Sequence, residues 1–156
     1  MGVAMVVVGP AEVVDLVGRW WWNYDEGNFE VLRELLTDDV HFTCRTDTGE
    51  TDFEEFVRAD VRGREAVMAW QIPHRTNSPY PLRHNGTNVH VTEQRGGEVS
   101  FASYIYVTRI VAGQVASLSS GVVLGAARRC GSSVCLCELH VVLDTRTSDL
   151  FSVVRS

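Results

Sequence analysis

Asp25 and His84 are the residues of this chain best suited to acid/base chemistry. Asp25 ends the run Trp21-Trp22-Asn23-Tyr24-Asp25, which has helical spacing, and His84 opens Arg83-His84-Asn85-Gly86-Thr87-Asn88-Val89, which has strand character. An imidazole titrates near neutral pH, and a carboxylate on one ring nitrogen decides which nitrogen is free to take a proton. Brought together over an apolar pocket, the two make a general base. On the residues alone each reads two ways. Asp25 is half of such a pair, or an exposed carboxylate at a helix end, where the helix dipole slightly disfavours it. His84 is a base, or a structural histidine with its hydrogen bonds satisfied.

Other chemistries find less support. His41 stands at a strand start, His74 in a stretch bounded by Pro73 and Pro79 that reads as a loop, and His140 alternates with Glu138 on the last strand. None has the H-x-H or H-E-x-x-H spacing of a metal site. Of Cys44, Cys130, Cys135 and Cys137, only Cys135 and Cys137 are close in sequence, as C-x-C without the second pair of a zinc site. They read as reduced thiols of the core or pocket, and neither metal nor cofactor is expected. No G-x-S-x-G, P-loop or G-x-G-x-x-G is present, so serine nucleophiles and nucleotides are unsupported.

The positioning elements follow from periodicity. Val13, Leu16, Val17, Trp20, Trp21 and Tyr24 recur at helical spacing behind Pro10 and Glu12, and Gly27 ends that helix. Asn28 caps a second helix over 29–36, and Val40 to Arg45 alternates as a short strand. Residues 52–57 and 63–70 are helical, and Pro73, Pro79 and Pro81 forbid a long helix beyond Gln71. The remainder predicts four strands, 82–93, 99–111, 114–128 and 134–143, joined by glycine turns as an antiparallel meander. Helices followed by long antiparallel strands make an α+β fold, with the sheet curling into a cone that the N-terminal helices close. The whole chain, 1–156, is expected to be one domain, with tails at 1–9 and 146–156.

Composition narrows the partners. Apolar residues at 45% and charged residues at 22% fit a globular chain, and a net charge of −6 without a basic stripe argues against nucleic acid. The apolar start, Met1 to Val8, is too short for a signal peptide, and no run reaches the roughly 18 apolar residues of a membrane span. A cytoplasmic protein is expected. Trp21, Tyr24, Met68, Trp70, Asn88, Tyr104 and Tyr106 are the candidate substrate contacts. Asn88 shares the face of His84 if the strand is regular, and Gly86 marks a place where a bulge would break that parity.

Three segments resemble a known family. Trp22 to Leu32 is similar to the first-helix region of SnoaL-like proteins, and Leu35 to Phe42 to the start of their first strand. Arg83 to Val89 is similar to the "H-x-x-x-N" strand of the scytalone dehydratase and hexachlorocyclohexane dehydrochlorinase branch. The resemblance covers residues 10 to about 145. It implies the nuclear transport factor 2-like α+β cone, with a cavity between helices and sheet. It also implies Asp25 and His84 as a dyad, with His84 the base and Asp25 its orienting partner, and Tyr24 as a tyrosine that polarises substrate through water. The chain departs from the dehydratase where a second tyrosine, a second histidine and a late asparagine fall near Cys44, Ser103 and Val122 or Val123. The dyad is kept and the carbonyl-polarising partners are not, so scytalone is not the implied substrate.

The expectation is therefore an enzyme that couples proton abstraction to elimination, isomerisation or cyclisation of a hydrophobic small molecule. Two alternatives stand beside it. An epoxide-opening hydrolase would need Asp60 or Asp144 inside the cavity with an Arg. A non-catalytic ligand-binding or dimerisation module would keep Asp25 and His84 more than about 5 Å apart or in solvent. A homodimer through the outer sheet face is the expected assembly by analogy with cone folds.

Overall fold

Residues 6–156 are described by a computed structural model; the first five positions of the expected N-terminal tail lie outside the described residues. Helix α1 (Pro10–Glu26) buries Val13, Leu16, Val17, Trp20, Trp21, Tyr24 and Asp25 on one stripe. Proline is tolerated in its first turn because the amide it lacks would have no partner there. Gly27 ends the helix at φ 69° and donates its amide to the Tyr24 carbonyl, a left-handed conformation that costs other residues more. Helix α2 (Phe29–Glu34) is shorter than the spacing predicts, since Leu36 already begins strand β1 (Leu36–Thr46).

A short helix α3 (Glu54–Val57) and strand β2 (Ala59–Arg62) lead into helix α4 (Arg64–Thr76). Strand β2 was not expected, because four residues between two helical stretches carry too little alternation to register. Helix α4 overruns the expected stop at Gln71, with Pro73 inside it. The proline falls in the last turn and removes one hydrogen bond there, and the burial of Val67, Met68, Gln71 and Arg75 keeps the helical period going. His74 is therefore a helical residue and not a loop residue.

Strands β3 (Leu82–Arg95), β4 (Glu98–Val111), β5 (Gln114–Cys130) and β6 (Ser133–Leu143) form the expected meander, and the exposed helix α5 (Phe151–Val154) lies in the C-terminal tail. The sheet order is β2-β1-β6-β5-β4-β3. All neighbours are antiparallel except β1 and β6, which run parallel, so the sheet is mixed. It is curved and unclosed, and register shifts on β3, β4–β5 and β5–β6 add local bends.

The inner face of β4 carries Phe101, Ser103, Ile105 and Val107, all buried; Tyr104 and Tyr106 are exposed on the outer face. A Cβ at Gly125 would fall 2.4 Å from the Phe101 ring, so only a bare glycine leaves room for that ring against β5. Each fully buried side chain such as Trp20, Phe101 or Leu136 contributes about 1.5–3 kcal/mol. No helix among the described residues is long and apolar enough to cross a membrane.

Candidate active site

Helix α1 lies across β3, and the crossing point is Gly86. A Cβ there would come within 3.1 Å of both Val17 and Trp21, so glycine sets how closely the helix approaches. That approach delivers Asp25 to His84. Asp25 Oδ1 lies 2.6 Å from His84 Nδ1, and Oδ2 accepts the His84 main-chain amide at 2.7 Å. Both carboxylate oxygens are committed to one residue, and Asp25 is buried. An ionised carboxylate only accepts, so Nδ1 carries the proton and Nε2 keeps its lone pair. The ring is held flat: Trp21 stacks on it at 4.8 Å and 5°, and Tyr24 meets it edge-on at 5.2 Å.

Behind the pair sits a second polar layer. Arg75 is buried, and its fork donates to the Tyr24 carbonyl (3.1 Å), to the Asp25 carbonyl (3.0 and 2.7 Å) and to the Pro79 carbonyl (3.1 Å). The Tyr24 and Asp25 carbonyls belong to the negative end of α1, where a cation is favourable. The Tyr24 hydroxyl lies 2.6 Å from His74 Nδ1, and the His74 ring stacks on Trp70 at 4.4 Å and on Phe56 at 4.5 Å. Burial above all, with smaller electrostatic contributions from the His84 ring and the Arg75 guanidinium, holds the His74 pKa down at about 4, so this imidazole is neutral at neutral pH. Burial above all pushes the Tyr24 phenol above its ordinary range.

These groups border a cavity of about 380 Å³. Its walls are largely apolar, with Phe42, Phe56, Leu82, Ile105 and Val141 among them, and its polar groups include Tyr24, Gln71, His74, His84, Arg109 and Ser119. Cys44 also lines it, and burial, aided by the Glu54 charge, pushes that thiol up to about 12, so it stays protonated and is a poor nucleophile. All four cysteines are free.

Of the residues expected at the site, Trp21, Tyr24, Trp70 and His84 line the cavity, and Asp25 lies directly behind His84. Four do not line it. Met68 is buried in the core on the stripe next to Trp70. Asn88 is exposed with φ 56°, because the bulge sits between Thr87 and His90 and turns it away from the His84 face. Tyr104 and Tyr106 take the outer sheet face, since Phe101 and Ile105 take the inner one. Asp60 binds His41 at the surface, and Asp144 accepts from Ser120 at an exposed position, so neither puts a carboxylate in the cavity for epoxide opening. His74, Arg75 and Gln71 were missed. Their signal was the continuation of the Val67–Gln71 period to 74 and 75, masked by Pro73.

A curved open sheet closed by N-terminal helices over an internal cavity defines an α+β cone protein with a histidine–carboxylate pair at its wall. The model of the SnoaL-like domain family matches residues 10–135, and the chain belongs to that family. No curated protein matches the sequence. Among solved structures it is similar to a nuclear transport factor 2-like protein with a cystatin-like fold from Novosphingobium aromaticivorans, at 22% identity over 85% of this chain and 80% of the other, TM-score 0.68. ActVI-ORFA of Streptomyces coelicolor is similar at 17% identity over 85% of this chain and 95% of the other, TM-score 0.69. A scytalone dehydratase-like protein of Novosphingobium aromaticivorans is similar at 11% identity over 90% and 86%, TM-score 0.68. At these identities the likeness concerns the fold.

Proposed function

We propose that this chain is a SnoaL-like small-molecule enzyme in which Asp25 and His84 run cofactor-free acid/base chemistry. The reaction class is dehydration, elimination, isomerisation or cyclisation of a hydrophobic substrate, such as a polyketide-type compound. The observation that carries this reading is the 2.6 Å contact between a buried Asp25 and a cavity-lining His84. His84 Nε2 takes a proton from substrate, and Asp25 holds the ring and stabilises the imidazolium that forms. A base so placed contributes about 10²- to 10⁴-fold, and the low polarity of the walls strengthens every charge interaction inside. The short, buried contact speaks against a purely non-catalytic module. Four free cysteines fit a reducing compartment such as the cytoplasm.

The probe 5-nitrobenzisoxazole tests the base directly, because loss of its one acidic C–H opens the ring to a coloured phenolate. The wild-type protein is expected to accelerate ring opening over buffer, and His84→Ala to return it to background. Equal rates for the two proteins would sink the proposal.

We also propose that the chain pairs with a second copy through the outer sheet face, where Tyr104, Tyr106, Val122 and Leu124 are all exposed. Light scattering is expected to give the mass of two chains for the wild type and one for Leu124→Arg. A monomeric wild type overturns the pairing.

A further inference from the structure

We infer that the cavity takes a hydrophobic molecule bearing one carboxylate, which the Arg109 guanidinium and the Ser119 hydroxyl hold at the mouth while the apolar body reaches inward to His84. This rests on the reading of His84 as the base, and it assigns the substrate a charge and an orientation.

The cavity has a closed end and an open one. Phe42, Ile105, Val107 and Val141 line it and are buried. Phe53, Phe56 and Leu118 also line it, yet they are 47, 46 and 43% exposed, and Asn77, Pro79 and Arg109 are exposed with them. These six residues mark the mouth. Strand β4 leads from one end to the other. Ile105 and Val107 alternate with the outward Tyr104 and Tyr106, and Arg109 continues the inward set. Val107 pairs with His84 across β3, and Arg109 pairs with Leu82. The cation therefore stands on the wall that carries the base, roughly 7 Å further along the strand toward solvent.

The neighbouring strand brings the second donor. Val107 faces Ser119 and Thr108 faces Ser117, so β5 carries one extra residue, Leu118. That bulge is why Leu118 and Ser119, adjacent in sequence, both line the cavity. Ser119 stands diagonally from Arg109 across the bulge, a separation that a long side chain can bridge.

Both groups are unengaged. Arg33, Arg64, Arg83, Arg128 and Arg129 each hold a carboxylate, whereas Arg109 holds none among the described residues. Ser117 and Ser120 spend their hydroxyls on Tyr106 and Asp144, and Ser119 has no such partner among the described residues. No Asp or Glu lines the cavity. Glu54, next to Phe53 in sequence, turns its carboxylate to the Thr46 and Thr51 hydroxyls, and both Asp25 oxygens are on His84.

The chain as a whole carries a charge of −6 and repels anions at long range, so what draws one to this opening is local. A guanidinium offers a planar fork of donors that matches the two oxygens of a carboxylate. Beside apolar walls, water screens such a pair less than it does on an open surface. A neutral substrate would leave the fork and the hydroxyl facing nothing they can bind, and a carboxylate completes both.

Calorimetric titration compares 2-naphthoate with 2-naphthamide, which share a flat apolar body and differ in charge. The wild-type chain is expected to bind the carboxylate about 10- to 100-fold more tightly, by a margin that shrinks as salt rises. Arg109→Gln is expected to remove the margin by weakening the carboxylate alone, and its unchanged affinity for the amide shows the cavity intact. Arg109→Lys, which keeps a charge without the fork, is expected to recover part of it. Ser119→Ala is expected to weaken the carboxylate by about threefold. Equal affinity for the two ligands in the wild type overturns the inference, as does a preference that survives Arg109→Gln, or binding of neither ligand. His84→Ala separates the anion seat from the base, since it is expected to keep the preference. A preference lost with His84 and kept without Arg109 puts the carboxylate on the imidazole and overturns the seat. A preference that depends on Arg109, beside 5-nitrobenzisoxazole opening that does not depend on His84, supports the seat and faults the base instead.

Discussion

Asp25→Asn is expected to lower ring opening of 5-nitrobenzisoxazole by about 10³- to 10⁴-fold while leaving the fold intact. The size of the loss comes from the tautomer, not from the missing charge alone. In the native pair, Asp25 accepts twice from one residue, from the His84 amide at 2.7 Å and from the ring at 2.6 Å. An asparagine has one acceptor and one donor at the same two places. The main-chain amide of His84 is a fixed donor, so the amide oxygen must serve it. The side-chain NH₂ then faces His84 Nδ1, which must become the acceptor. The imidazole proton moves to Nε2, and the atom that faced substrate with a lone pair now faces it with a proton. Asp25→Ala breaks the same function with less specificity, since it leaves the His84 amide and ring unpaired and costs stability as well. Kinetics on the probe, beside circular dichroism and thermal melting, separate the two. An asparagine variant within threefold of wild type would mean that His84 does not work through this tautomer.

What could be read from the residues beforehand divides along the range of the interaction. Helix α1 and strands β3 to β6 were legible because each is long and carries its own periodicity and its own glycine or proline boundary. Tyr24, Asp25 and His84 were legible as residue types on those elements, whereas their meeting depends on how closely α1 approaches β3 at Gly86, which no local pattern states. Alternation on β4 separates Tyr104 and Tyr106 from Phe101 and Ile105, but both sets are apolar, so it does not say which faces inward. The cavity needed the inner set, and the tyrosines went outside. The parallel pairing of β1 with β6 joins Cys44 to Val141, far apart in the sequence, and leaves no short-range mark. Asn88 fell to a bulge two residues beyond the glycine suspected of one. The most costly miss was local. Taking Pro73 as a helix stop hid His74 and Arg75, although a proline in a last turn removes only one bond and tertiary burial can override it.

Arg75→Ala is expected to destabilise the protein by roughly 3–5 kcal/mol and to disorganise the site at the same time. The guanidinium is buried and satisfies the last turn of α1, a helix end whose carbonyls have no successors to pair with. The Tyr24 carbonyl would still receive the Gly27 amide at 3.2 Å, but the Asp25 carbonyl would lose both of its donors and Pro79 its one. The buried Asp25 carbonyl left open costs about 1–3 kcal/mol, the Pro79 carbonyl less because its residue is exposed to water, and the packing of the buried guanidinium is lost as well. The same change removes a cation near Asp25 and Tyr24, the two residues that hold the two imidazoles. Arg75→Lys is not expected to rescue it, because a single ammonium cannot reproduce the planar fork that reaches α1 and Pro79 together. Urea unfolding at neutral pH measures the stability loss, and probe turnover well below the unfolding midpoint measures the rest. If the alanine variant kept wild-type turnover in its folded fraction, Arg75 would serve the fold alone. A loss of turnover larger than its unfolded fraction shows that the end of α1 must be held in place for Asp25 and Tyr24 to set the two histidines.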